Sequence, residues 1–261
     1  MIDLKMYPFS LEAFKSLLGL LNMITFASGG YIAIELYAKI MQFRATVVVP
    51  NAPTVIQATG VQAFFTALEP ANSTAVLQNV IANMGSVLGQ WSFFEYFYDP
   101  PVGAERALHG EHHTVYPGDI VASGFILMGN SEQWTGLTKP YQWFVEWRVK
   151  RGEEGLAKGK ADFSGNTTMD LSAYPDVEDF TQAILTFELY RSAEWEMGPL
   201  VWSNIDVQIN GTNTGWYSVD KFLVEDVTIT DTGPVNVSPA ITGITCFFTG
   251  FTLNLAEFPA I

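Results

Sequence analysis

Residues 182–210 read QAILTFELYRSAEWEMGPLVWSNIDVQIN. The run Ala183–Tyr190 is apolar, β-branched or aromatic except at Glu188, and Leu200–Ile209 reads as a second strand beyond a Gly198-Pro199 turn signal. Two strand-like runs separated by a turn are the unit of an antiparallel sheet. Glu188 is the odd residue. A carboxylate between Phe187 and Leu189 lies either on a solvated face or in a cleft that has a use for it.

The same alternation of strand and turn extends in both directions. Further strands are expected at 31–38, 43–49, 62–68, 76–82, 91–98, 119–127, 141–150, 157–163, 222–229 and 244–253, divided by Pro50-Asn51-Ala52-Pro53, Asp99-Pro100-Pro101, Pro117-Gly118-Asp119, Gly129-Asn130 and Asn210-Gly211. A dozen short strands without interleaved helices predict an all-β antiparallel sandwich or jelly roll, one domain over residues 29–261. Residues 1–28 differ. Ser10 is placed to N-cap a helix with apolar positions Leu11, Phe14, Leu17, Leu18 and Leu21. A signal peptide is the competing reading, but Asp3 and Glu12 and the lack of a basic amino end favour a packed amphipathic helix.

Composition narrows the partners. A net charge of -14 with only 13 Lys and Arg excludes nucleic acid as a natural partner and disfavours an anionic membrane surface. No apolar run is long and clean enough for a helical membrane span. Hydrophobic residues at 48% against 15% charged describe a folded chain. Cys246 is the only cysteine, which rules out an intrachain disulfide and points to an intracellular compartment, whereas sequons at Asn72, Asn166, Asn210 and Asn236 point to secretion.

Few chemistries have support. The cluster His109-Gly110-Glu111-His112-His113 holds metal-capable groups but matches no ligand spacing, and a polar loop explains it as well, so neither a metal nor a cofactor is expected. No nucleophilic triad and no phosphate-cradling glycine loop is present. What remains is carboxylate and amide chemistry on strands: Gln78 in TAVLQ, Glu95 in FFEYF, Glu146 in WFVEW and Glu188. Each alone more often marks a wet sheet face. Together with Phe64, Phe93, Phe97 and Trp143 they compose an aromatic cleft with a few polar groups.

Several segments in order resemble the glutamic peptidases, the eqolisins: ATVVVPNAP, STAVLQ, FFEYFYDPP, VYPGDIVASGFI, QAILTFELY and PLVWSNIDVQIN, spread over roughly residues 30–255. The resemblance implies a bent sandwich of two antiparallel sheets, similar to the concanavalin type. It also implies a catalytic pair, Gln78 and Glu188. In that reading Glu188 activates a water and then protonates the leaving amine, while the Gln78 amide donates to the oxyanion. The chain departs from the family where it carries Phe64 in place of a tryptophan, has no tryptophan near Gly29-Gly30-Tyr31, and lacks the disulfide. Two further readings therefore stand beside acid proteolysis: a biosynthetic enzyme of the cyclase or cycloaddition kind that takes a small apolar substrate, and a lectin-like binding protein without chemistry.

Overall fold

The structure, a computed structural model, describes residues 27–36, 38–53, 60–72, 75–84, 88–98, 108–128, 142–174, 176–191, 193, 195–210, 217–222, 227–231, 234–240 and 243–255. The expected amino-terminal helix lies outside them up to residue 26, and Ala27 and Ser28, at its expected end, already belong to a strand. The strands in chain order are β1 Ala27–Leu36, β2 Ile40–Val48, β3 Gly60–Pro70, β4 Val76–Ala82, β5 Trp91–Tyr98, β6 Leu108–His109, β7 His113–Val115, β8 Ile120–Leu127 and β9 Gln142–Lys150. They continue with β10 Phe163–Asp170, β11 Phe180–Arg191, β12 Leu200–Ile209, β13 Tyr217–Phe222, β14 Val227–Asp231, β15 Pro234–Ala240 and β16 Gly243–Leu255. One short helix, α1 Glu153–Ala157, precedes β10.

They form two antiparallel sheets. Sheet A runs β13-β1-β11-β3-β4-β5-β6, with β7 also paired to β5; sheet B runs β10-β9-β8-β2-β12-β16-β14, with β15 paired to β16. A single apolar core joins them. Phe64, Leu68, Leu77, Phe93, Phe97 and Phe187 of sheet A meet Phe43, Val47, Phe125, Trp143, Trp147 and Trp202 of sheet B. Aromatic contacts cross the gap, with Phe93 on Trp147 and Phe180 on Trp143, each at 5.3 Å between ring centroids. The all-β sandwich expected from the strand pattern is what forms.

The two sheets differ on their outer faces. β9 alternates between buried and open positions, as a half-wetted strand should. In β3, β4 and β5 every residue is buried. Over these three strands sheet A is therefore covered on both faces. Its second face holds its own apolar cluster, Ala33, Val61, Ala63, Phe65, Ala67, Val80, Ala82, Phe94, Tyr96, Tyr98 and Ile184 among others.

Two expectations need correction. The strand expected at 157–163 is instead α1 and a turn, with β10 beginning where that strand was to end. Charged, glycine-broken RGEEGLAKGK offers no alternation to pair, and Glu153 and Glu154 favour the first turn of a helix. The strand expected at 222–229 is two strands, β13 in sheet A and β14 in sheet B. β15 is a strand the sequence pattern does not announce, with Pro234 and Pro239 in it; among the described residues it pairs only to β16, where a missing N–H is tolerated.

Candidate functional site

Register determines which side chains share a face. Gln78 on β4 stands opposite Ala67 of β3 and Tyr96 of β5, and Ala67 stands opposite Ile184 of β11. Glu188 on β11 stands opposite Ala63, which stands opposite Ala82 and then Ser92. Because side chains alternate with a period of two, positions 63 and 67 of β3 point the same way, and so do Glu188 and Gln78. Both project onto the second, covered face of sheet A. Glu188 is 3% exposed and Gln78 1%.

They are not cross-strand neighbours. Two strand spacings of about 4.8 Å and four residues of about 3.3 Å put their Cα atoms roughly 16 Å apart. Side chains that stand perpendicular to the sheet at that spacing do not lie side by side as a cross-strand pair would. Between them the face is low in relief, with Ala63, Ala67 and Ala82 ringed by Phe65, Phe94, Tyr96 and Tyr98.

Gln78 has other polar company. Two residues beyond Ala67 on β3 comes Glu69, buried and opposite Gln182 of β11. As the diagonal neighbour of Gln78 it lies roughly 7–8 Å away between Cα atoms. Tyr96, directly opposite Gln78, is fully buried, and burial first and the neighbouring Tyr98 second push its phenol well above the ordinary tyrosine range. The Gln78 Oε1 and the Tyr96 hydroxyl both lack a hydrogen-bond partner. Orphaned buried polar atoms are rare, and among the described residues the Asn79 amide and the Trp202 indole, in the core between the sheets, share the condition.

The other residues singled out from sequence lie elsewhere. Phe64, Phe93 and Phe97 of sheet A and Trp143 of sheet B belong to the core between the sheets, across sheet A from Gln78, so they do not wall the face that carries it. Phe65, Phe94, Tyr96 and Tyr98 take that place. Glu95 also points between the sheets, where it accepts a hydrogen bond from the Trp147 indole, beside the buried Asn79. Glu146 is on the outer face of sheet B, accepting from Nε and Nη2 of Arg44 at 3.2 and 3.1 Å. The error has one cause: neighbours in a strand point to opposite faces, and composition alone does not say which face is which.

The histidines divide in the same way. His109 and His112 stack on each other at 4.9 Å and on Phe94 at 4.9 and 4.5 Å, at the edge of the Gln78 face. His113 turns to the other side, against Trp147 and Phe163. Among the described residues no three metal-capable side chains gather at one point, and no helix is long and apolar enough to cross a membrane.

No family model matches the sequence, and no curated protein does either. Solved structures are similar in architecture. Scytalido-glutamic peptidase with a peptide-based transition-state analogue is 11% identical over 86% of this chain and 100% of that one, with a TM-score of 0.45. SCP-B, a member of the eqolisin family of peptidases in complex with the tripeptide Ala-Ile-His, is 10% identical over 86% and 100%, with a TM-score of 0.44. The CBM2 module of the evolved Dit protein of Lactobacillus casei BL23 phage J-1 is 13% identical over 87% and 63%, with a TM-score of 0.34. At such values the chemistry of this chain has to be argued from its own residues.

Proposed function

We propose that this chain is an enzyme that works on the covered face of sheet A, and that its substrate is a small, mainly apolar molecule rather than an extended peptide. The observation that supports this most directly is the separation of Gln78 from Glu188 on one apolar face. A water-activating dyad needs its two members at one reacting atom. Two polar points about 16 Å apart, divided by alanines and ringed by aromatics, fit a molecule that spans the face and presents a polar group near each end.

In that reading Gln78 and Tyr96 are neutral partners for a carbonyl or hydroxyl of the substrate. An amide donor and a phenol held by packing polarise such a group without titrating themselves. Glu188, in its apolar surround, takes or gives a proton at the other end. Shape supplies the rest, since holding a flexible apolar chain in one fold lowers the entropic part of a cyclisation barrier. A reading as a water-activating glutamic peptidase has one observation in its favour, that both residues share a face.

One pair of assays separates the two. Purified protein is incubated with an unfolded protein substrate across the acidic range, and binding of the apolar fluorophore N-phenyl-1-naphthylamine is measured with and without Ala63→Trp, which fills the low centre of the face. Thermal unfolding shows whether that variant is folded. Uncut protein together with fluorophore binding that Ala63→Trp weakens supports the small-molecule enzyme. Cleavage that disappears in both Gln78→Ala and Glu188→Gln overturns it in favour of the peptidase.

A further inference from the structure

The outer face of sheet B carries a trough that the Gln78 face does not explain. Its axis is a single row of cross-strand neighbours, Asn166 of β10, Glu146 of β9, Gly124 of β8, Arg44 of β2 and Asp206 of β12. Four strand spacings make this row roughly 19 Å long. The hollow above it holds about 560 Å³, within the usual range for a ligand site.

Its floor is low for a specific reason. A Cβ on Gly124 would lie 2.8 Å from Cγ of Glu146 and 3.0 Å from its Oε1. With glycine there, the Glu146 side chain lies flat across β8 to reach Arg44, and Ala122 continues the floor. The carboxylates are braced from one side. Arg44 donates twice to Oε1 of Glu146, and Gln42 Nε2 donates to Oδ2 of Asp206 at 2.9 Å. Each bond falls on one oxygen of its carboxylate.

The far wall is built at a cost. β12 has a bulge between Ser203 and Asp206, and inside it Asn204 adopts φ 50°, the only positive φ at a non-glycine among the described residues. Asn is among the residue types that tolerate this conformation, but a left-handed backbone in the middle of a central strand is strained. Bulges beside sites re-aim side chains. Here the exposed Asn204 lines the trough rather than continuing the ladder.

We propose that this trough binds a neutral oligosaccharide, held by the planar side chains of Arg44, Glu146, Asn166, Asn204 and Asp206. The lining charges balance, with Arg44 and Arg148 against Glu146 and Asp206, so the site presents no net charge for an ionic ligand. The remaining polar groups are hydroxyls and amides: Thr46, Ser123, Ser164, Asn166 and Asn204. Vicinal hydroxyls each donate and accept, and paired carboxylate, guanidinium and carboxamide groups meet both needs at once. An extended peptide is a poorer match, because nothing in the row is an apolar pocket for alternate side chains.

Isothermal titration of the full chain with cellohexaose, laminarihexaose, mannohexaose and chitohexaose at up to millimolar concentration tests this. The variants are Asn166→Ala and Asn204→Gly; the second removes the amide while suiting the backbone. Near-UV circular dichroism confirms that each is folded. Saturable binding of at least one hexasaccharide, weakened roughly threefold to tenfold in each variant as loss of one neutral hydrogen bond predicts, supports the proposal. It is overturned if none of the four binds, if binding is unchanged in both variants, or if an acidic oligogalacturonide or an extended peptide binds more tightly than every neutral sugar.

Discussion

Gln78 and Glu188 project from the same face of sheet A, yet the cross-strand row through Gln78 meets β11 at Ile184, not at Glu188. The residue beside Glu188 on the next strand is Ala63, and beyond it Ala82. Two polar groups so placed belong to one surface without belonging to one reacting point.

Their independence is measurable. Residues more than 7–10 Å apart with no shared partner contribute additively within about 0.3–0.5 kcal/mol. We expect Gln78→Ala, Glu188→Gln and the double variant to close a cycle within that margin in urea unfolding, and equally in the logarithm of any rate once a substrate is in hand. A coupling above about 1 kcal/mol would place the two side chains in contact.

Gln78 should be a poor residue for stability. Its Oε1 is buried without a partner, and leaving such a group unsatisfied costs about 1–3 kcal/mol. Methionine has nearly the same shape and no such debt. We expect Gln78→Met to raise the stability read from urea unfolding by something of the order of 1 kcal/mol. A loss of stability of that size instead would mean that the amide is satisfied in solution.

The strands that were legible in sequence are those with long apolar runs and sharp ends. β4, β5 and β12 have the bounds expected, because Pro, Gly and Asn punctuate them and no competing helical period exists. Facing was not legible. Glu95 and Gln78 look alike in sequence, a polar residue inside an apolar strand, but one points between the sheets to Trp147 and the other away from them. β3, β4 and β5 are buried on both sides and so lack the alternation that would have told these apart. Glu69 and Tyr96 were missed for the same reason. The trough on sheet B was out of reach for another: Arg44, Glu146, Asn166 and Asp206 become neighbours only through the register of successive strand pairings, none of which is local in sequence.

A buried ion pair anchors the turn between β7 and β8. Asp119 accepts from Arg151 Nη1 at 2.6 Å and from the backbone N–H of Tyr116 and of Gly152 at 3.0 and 2.8 Å, with the two side chains 0% and 7% exposed. The guanidinium also lies over Phe163, 4.5 Å from its centroid. Removing one partner strands the other charge, which typically costs about 3–5 kcal/mol. Asp119→Ala should lose that much in denaturant unfolding. Arg151→Met keeps the stem on Phe163 but leaves the buried carboxylate with its two backbone N–H donors and no counter-charge, so it too should be destabilised. The double variant should cost less than the two single losses added together.

His112 provides a titration with a defined sign. Its ring stacks on Phe94 and lies 2.6 Å from the Ser92 hydroxyl, and burial first, then His109 and His113, lower its pKa below the ordinary 6.5. A folded-state pKa below the unfolded one means that the unfolded chain binds the proton more readily. Stability from this group is therefore fully present above pH 6.5 and is lost as pH falls through 6.5 to the folded value, beneath which no further loss occurs. Proton-detected titration of the ring should place the His112 midpoint below 6.5, and His109→Gln, which removes one repelling neighbour, should move it upward. If the midpoint stays where it was in His109→Gln, the stacked pair is not electrostatically coupled, and desolvation together with His113 accounts for the shift.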